Sequence, residues 1–316
     1  MDHAMTIIRH SPIGYLRISG LGLTELPKIP EGTTELSCTH NRLTKLPDNL
    51  PKSLKVLYCY YNQLTELPKT LPEGLYLIDC GNNRLTTLPD TLPKSMEYLY
   101  CSNNQLTMLP ETLPASIKIL GCDQNRISKL PDVIPTSLSR LWCQSNRLAS
   151  LPETLPASLV DLYCYNNILT RLPETLPPAI AKLVCDNNNL TLLPEKLPKS
   201  LELLNCAKNR LTRLPDVLPE SIQIINCCSN HLSCFPDTLP ARLSEIFHTD
   251  NYLLPIRESN ESIREYIHRV NAISETQSKE RITERCAVFF EELAKKMWHP
   301  SRVERLMLAG IDMEEM

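Results

Sequence analysis

The chain has 316 residues, a formal net charge of −3 and a pI near 6.2, with 42% hydrophobic and 5% aromatic residues. That balance implies no strongly charged partner such as nucleic acid. No apolar run of about 18 residues occurs, so no membrane span is expected.

In chain order, the opening MDHAMTIIRHSPIG lacks the long apolar core of a Sec-type signal peptide. Residues 1–25 keep apolar spacing at Leu16, Ile18, Leu21 and Leu23 but lack the motif that follows. They are expected to form a degenerate first coil, because an open repeat array would otherwise expose its core.

Residues 26–255 are periodic. Asparagine recurs every 21 residues at Asn41, Asn62, Asn83, Asn104, Asn125, Asn146, Asn167, Asn188, Asn209, Asn230 and Asn251. A cysteine stands three residues before each of the first ten, from Cys38 through Cys59, Cys101, Cys143 and Cys164 to Cys227; His248 takes that place in the last. The unit reads LxxLxCxxNxLTxLPxxLPxS. A fixed period of this length marks a stacked solenoid. Alternation in Val56-Leu57-Tyr58-Cys59-Tyr60 sends Leu57 and Cys59 to one face and the other three to the opposite face. One coil cannot bury its apolar face alone, but stacked coils can. Cysteine serves as a small hydrophobe in that core. The asparagine amide is placed to satisfy backbone groups where the strand ends and the chain turns. Two prolines four residues apart exclude a regular helix on the return leg, which is expected to be extended or polyproline-II-like.

The predicted fold is therefore a leucine-rich repeat solenoid, with parallel β-strands on the concave face and an extended return on the convex side. Ten core-facing thiols in single file lack the paired spacing of a zinc site. They read as buried free thiols and predict a reducing, cytoplasmic compartment. No metal or cofactor is expected.

After Pro255 proline is absent until Pro300, and the apolar spacing becomes helical. Residues 256–316 predict helices near 261–272, 277–297 and 301–309, with capping boxes at Ser262/Glu265 and Ser301/Glu304. Ile263, Ile267 and Val270 share one face, and Cys286 lies on the apolar stripe of the second helix. The segment reads as a cap on the last coil or as a docking module.

Candidate binding residues are the strand side chains that point away from the core. Tyr58, Tyr60, Tyr98, Tyr100, Arg140, Trp142, Tyr163 and Tyr165 fall in these columns, which hold six of the eleven tyrosines and one of the two tryptophans. Tyr and Trp are enriched at protein-binding hot spots. They form two groups, one around Tyr58–Tyr100 and one around Trp142–Tyr165. The structural ladder is Cys59, Asn62, Cys101, Asn104, Cys143, Asn146, Cys164 and Asn167. On the return side nine acidic residues follow the first proline of each pair, among them Asp132, Glu153, Glu195 and Asp216. They are expected to balance neighbouring charges, or else to form a second stripe for a basic partner.

The unit NxLTxLPxxLP, with the opening Leu21-Gly22-Leu23-Thr24-Glu25-Leu26-Pro27, resembles bacterial secreted effectors of the YopM/IpaH type over residues 15–255. The ladder cysteine and the C-terminal segment depart from that pattern. The short cysteine-bearing repeats and the tail WHPSRVERLMLAGIDMEEM also resemble leucine-rich repeat proteins of giant DNA viruses. The resemblance implies an effector acting on host proteins, in the host cytoplasm for a pathogen or virus. The IpaH type also implies a ubiquitin-ligase domain with a Cys-x-Asp nucleophile, but this chain has no Cys-x-Asp and too short a tail for it. HExxH, a Gly-rich phosphate loop and GxSxG are also missing. The expected function is a non-catalytic, monomeric protein-interaction module that binds a partner protein on its concave aromatic face. The alternative is a substrate-recognition subunit that recruits separate ubiquitin-type machinery through its helical tail.

Overall fold

The structure, a computed structural model, describes residues 5–8, 12, 14–252, 261–262 and 264–273. Twelve three-residue strands make one parallel sheet in chain order. They are β1 (Tyr15–Arg17), β2 (Glu35–Ser37), β3 (Val56–Tyr58), β4 (Leu77–Asp79), β5 (Tyr98–Tyr100), β6 (Ile119–Gly121), β7 (Arg140–Trp142), β8 (Asp161–Tyr163), β9 (Lys182–Val184), β10 (Leu203–Asn205), β11 (Ile224–Asn226) and β12 (Glu245–Phe247). Leu57 pairs with Ile78 and Leu162 with Leu183, one 21-residue repeat apart; Leu16 pairs with Leu36 across a coil one residue shorter.

The predicted alternation holds. The middle residue of each strand from β2 to β11, among them Leu57, Leu99, Leu162 and Leu204, is fully buried with the ladder cysteine two residues on. All ten ladder cysteines are buried and free. Some of the thiols also bond to the next coil: Cys101 Sγ donates to Gly121 O at 3.3 Å and Cys143 Sγ to Tyr163 O at 3.4 Å.

Each asparagine stitches its own coil to the preceding one. Asn167 Nδ2 donates to Cys143 O and Cys164 O, both at 3.1 Å, and to Tyr165 O at 3.2 Å. Its Oδ1 accepts from Leu148 N at 2.9 Å. Asn62, Asn104 and Asn146, two coils apart in turn, repeat this set. The amide thus supplies both donors and an acceptor to a bend whose backbone also bonds to the neighbouring coils, as in Asn166 N–H to Asp186 O at 2.9 Å.

The return leg carries neither helix nor strand, as the prolines require. It closes in a turn, with Leu159 N–H donating to Pro156 O at 3.0 Å. A second ladder runs here. Ser158 Oγ donates to Thr136 O and Leu138 O of the preceding coil, both at 2.7 Å, and Ser95, Ser116, Ser137 and Ser200 do likewise.

The residue before each ladder asparagine adopts a left-handed backbone, φ 51–57°, with no common side chain: Tyr61, Asn82, Gln124, Ser145 and Lys208 all occupy it. Asparagine, at Asn82, Asn103, Asn166 and Asn187, is the type that tolerates this region best after glycine.

A second compact unit contains Ser233–Asp237 and the segment after Tyr252. Its described helix spans 264–273, close to the predicted 261–272. The capping box is made: Ser262 N–H donates to Glu265 Oε2 at 2.9 Å, and Glu265 N–H to Ser262 Oγ at 3.3 Å. Ile267 and Val270 are buried on the expected face, with Tyr266 beside them and its ring 6.4 Å from that of Phe235. Asn271 brackets the Phe235 backbone, accepting from its N–H and donating to its carbonyl, each at 2.9 Å. The helices predicted over 277–297 and 301–309, with Ile263, Cys286 and the Ser301/Glu304 box, lie outside the described residues.

Candidate functional site

The first and third residues of each strand, and the residue after each ladder position, point away from the core. This places Tyr58, Tyr60, Tyr98, Tyr100, Trp142, Tyr163 and Tyr165 half-buried on one face, with Arg140 exposed beside them. The sequence predicts two aromatic groups; the structure joins them. Tyr100 and Trp142, two coils apart, have ring centroids 6.0 Å apart. Gly121 lies between them, and a Cβ there would stand 3.2 Å from Tyr100 Cδ1 and 3.3 Å from Trp142 Cε3. Trp142 is the register partner of Tyr163, as the repeat requires, but it leans toward Tyr100.

Farther along the face, Tyr58 and Tyr60 pack edge to face at 6.5 Å, and Tyr61 stacks on His40 at 4.6 Å. Tyr98 meets Tyr76 at 6.4 Å. Tyr61 and Tyr76 lie outside the predicted set. Tyr61 escaped notice because it occupies the left-handed position, and Tyr76 because it precedes its strand.

The second group surrounds a hollow of about 460 Å³ lined by Arg140, Trp142, Gln144, Asp161, Tyr163, Tyr165 and Lys182. Across β7, β8 and β9 the charges alternate as Arg140, Asp161 and Lys182. Arg140 Nε lies 3.2 Å from Asp161 Oδ2. Asp161 is only 9% exposed although it points outward, with Arg140 paired to it on one side and Lys182 in register on the other. Gln144 Oε1 is buried with no hydrogen-bond partner among the described residues. Asp161, Gln144 and Lys182 stand in the outward columns of the sequence, but their depth and pairing depend on neighbours one coil away.

Burial raises the Tyr58, Tyr100 and Tyr165 hydroxyls above the usual phenol value, with nearby carboxylates adding to it: Glu35 and Asp79 at Tyr58, Asp79 at Tyr100, and Asp123 and Asp186 at Tyr165. Burial likewise raises Asp79 and Asp186 above the ordinary carboxylate value. In the ladder, desolvation pushes Cys38 up to about 12 and the other nine thiols well above the usual range. These are packing thiols held away from the thiolate that nucleophilic or metal chemistry needs. Among the described residues no cluster of three His, Cys, Asp or Glu could hold a metal ion, and no helix is long and apolar enough to cross a membrane.

On the return side, Lys129 pairs with Asp132 at 2.7 Å, Arg171 with Glu153, and Arg213 with Glu195 and Asp216. At these four positions the acidic stripe is balanced by neighbouring cations.

No family model and no curated protein matches the chain. Solved structures do. YopM from Yersinia enterocolitica is 32% identical over 79% of this chain, with a TM-score of 0.53; this chain spans 64% of that one. YopM from Yersinia pestis, described as a leucine-rich effector protein, is 27% identical, with 78% of this chain and 93% of that one aligned and a TM-score of 0.50. The functional domain of InlJ from Listeria monocytogenes, described as including a cysteine ladder, is 28% identical over 70% of this chain and 49% of that one, with a TM-score of 0.64. With twelve parallel strands, a 21-residue register and these likenesses, the fold of the chain is a leucine-rich repeat solenoid.

Proposed function

We propose that the protein is a non-catalytic, monomeric interaction module that holds a partner protein on the concave aromatic face. The observation that carries this reading is the set of half-buried rings from Tyr58 to Tyr165 on one face, with the Tyr100 and Trp142 rings 6.0 Å apart beside a hollow large enough for one or two partner side chains. Leucine-rich repeat folds generally serve as protein-interaction modules, and rigid aromatic side chains are the usual anchors at such interfaces. Buried, unpaired thiols favour a reducing compartment, the cytoplasm. The likeness to YopM supports an effector role, and both sequence resemblances fit a bacterial or viral protein acting inside a host cell.

The test compares outward with inward truncations. Trp142→Ala and Tyr163→Ala are expected to weaken capture of the partner from host lysate by about thirtyfold or more, the effect of losing a hot-spot aromatic. Leu162→Ala, in the core, is expected to cost about 2–5 kcal/mol of stability. If the two outward variants lose as much stability as Leu162→Ala and keep full capture, the rings are packing and the binding face lies elsewhere.

A further inference from the structure

The concave face is short of positive charge. In the outward columns the cations are Arg17, Arg140 and Lys182, and the carboxylates are Glu35, Asp79, Asp123, Asp161, Asp186 and Glu245. Arg17 sits 3.7 Å from Glu35 and Arg140 3.2 Å from Asp161. Asp79, Asp123 and Asp186 are half-buried and have no ion pair among the described residues.

Their partners are neutral donors. Asp79 accepts from Gly81 N–H at 3.1 Å, Asp123 from Ser102 Oγ, and Asp186 from Asn205 Nδ2 at 2.9 Å. Such donors orient a carboxylate without supplying a countercharge. The return-side carboxylates differ on both counts: Asp132, Glu153, Glu195 and Asp216 are 60–80% exposed and each has a basic partner. Desolvation without an ion pair is an incomplete electrostatic arrangement: burial holds the Asp79 and Asp186 carboxyls above their ordinary value, at Asp186 against the opposing charge of Lys208.

The three carboxylates are interleaved with rings. Asp79 is in register with Tyr58 on one side and Tyr100 on the other. Asp123 and Asp186 both act on Tyr165. A guanidinium can stack on an aromatic face and bind a carboxylate through its N–H fork at the same time. We propose that the concave face from β4 to β9 takes an arginine-bearing basic segment of the partner, its guanidinium groups on Asp79, Asp123 and Asp186 and stacked on Tyr100, Trp142 and Tyr165. This rests on the concave-face reading above and gives the partner its chemistry. Strands about 4.8 Å apart place the three carboxylates about 10 and 15 Å apart, which an extended chain spans in about three and four residues.

The test uses Trp298→Phe protein, in which Trp142 is the sole tryptophan and reports binding by fluorescence. The probe is a glycine peptide with three arginines spaced three and four residues apart, run beside its citrulline and glutamate counterparts. The arginine peptide is expected to bind saturably, about tenfold or more tighter than the citrulline peptide, and to weaken as salt rises. Asp79→Asn and Asp186→Asn are each expected to lower its affinity by about threefold to tenfold, while the urea midpoint at neutral pH holds or rises. A purely structural aspartate would not separate those two readouts. Equal binding of the citrulline peptide, tighter binding of the glutamate peptide, full affinity in both Asn variants, or no binding by any probe would each overturn the inference. Loss of partner capture in Trp142→Ala alongside any of these results would leave the concave-face reading standing and remove only the basic partner.

Discussion

Tyr100 and Trp142 are separated by two coils, yet their ring centroids lie 6.0 Å apart, because the residue between them in register is Gly121. Any side chain at Gly121 enters the space these rings occupy. Its backbone is not left-handed, so an L residue is barred only by the rings. Gly121→Val is expected to push Tyr100 and Trp142 apart at a cost of about 1–3 kcal/mol, the usual scale of overpacking. Gly121→Ala should cost less, since two half-buried rings can tilt outward. The measurement is Trp142 fluorescence with the urea midpoint; unchanged emission in Gly121→Val would show that the rings do not depend on this glycine.

The asparagine ladder makes a sharper prediction. Removing the Asn167 side chain orphans the Leu148 N–H and takes one donor from each of three carbonyls, leaving Cys143 O to Asn146, Cys164 O to Asn188 and Tyr165 O to the Ser145 N–H. Asn167→Ala is expected to cost about 2–4 kcal/mol, more than an ordinary neutral hydrogen bond because four bonds are lost together and the Leu148 N–H is left buried without an acceptor. Asn167→Asp should be worse at neutral pH, since a carboxylate faces carbonyls that want a donor. Protonation restores one donor, so the native state raises that carboxyl's pKa, and the variant's stability should fall as pH rises from about 4 to 7. Denaturation of both variants at the two pH values checks this.

The thiol ladder predicts alkaline sensitivity. An unfolded cysteine ionises near 9.0, whereas burial holds the proton on native Cys38 to about 12 and raises the other nine as well. Above pH 9 the native state therefore binds more protons than the unfolded one, and stability falls as pH rises. Each thiol contributes about 1.4 kcal/mol per pH unit, and ten acting together make the loss steep. Under reducing conditions the protein is expected to unfold within about two pH units above 9, and replacing three ladder cysteines by alanine should flatten the slope. A midpoint independent of pH from 8 to 11 would show that the thiols ionise without unfolding.

What could be read in the sequence was what recurs with a fixed residue type. Asn62 and Cys59 carry their roles in chemistry alone, a two-way amide at a bend and a small hydrophobe in a tight coil, and the prolines exclude a helix. The period-two alternation likewise placed Tyr163 and Trp142 on one face. Features set by the neighbouring coil were not readable. Ser158 recurs visibly, but its role depends on the carbonyls of Thr136 and Leu138 lying beneath it. Asp161 is buried between coils that bring Arg140 and Lys182 into register with it, and Val56 is 7% exposed although it points outward. The left-handed position has no consensus side chain, so backbone geometry alone identifies it.

That position yields the last prediction. Lys208 has φ 51°, a region that is costly for an ordinary L side chain because Cβ crowds the following carbonyl. Its backbone N–H donates to Cys228 O at 2.8 Å, so the fold holds the residue there regardless of type. Asparagine occupies the same place at Asn82, Asn103, Asn166 and Asn187 and reaches this region with local help from its side chain. Lys208→Asn is expected to stabilise the protein by about 0.5–1 kcal/mol, and Lys208→Gly by less, because glycine also gains freedom in the unfolded chain. Asn187→Lys, the reverse change one coil away, should destabilise by a similar amount and also lose the 2.8 Å bond from Asn187 Nδ2 to Asn166 Oδ1. Urea midpoints for the three variants decide the matter. A loss of stability in Lys208→Asn would mean that the lysine contributes more through its charge beside Asp186 than its backbone costs.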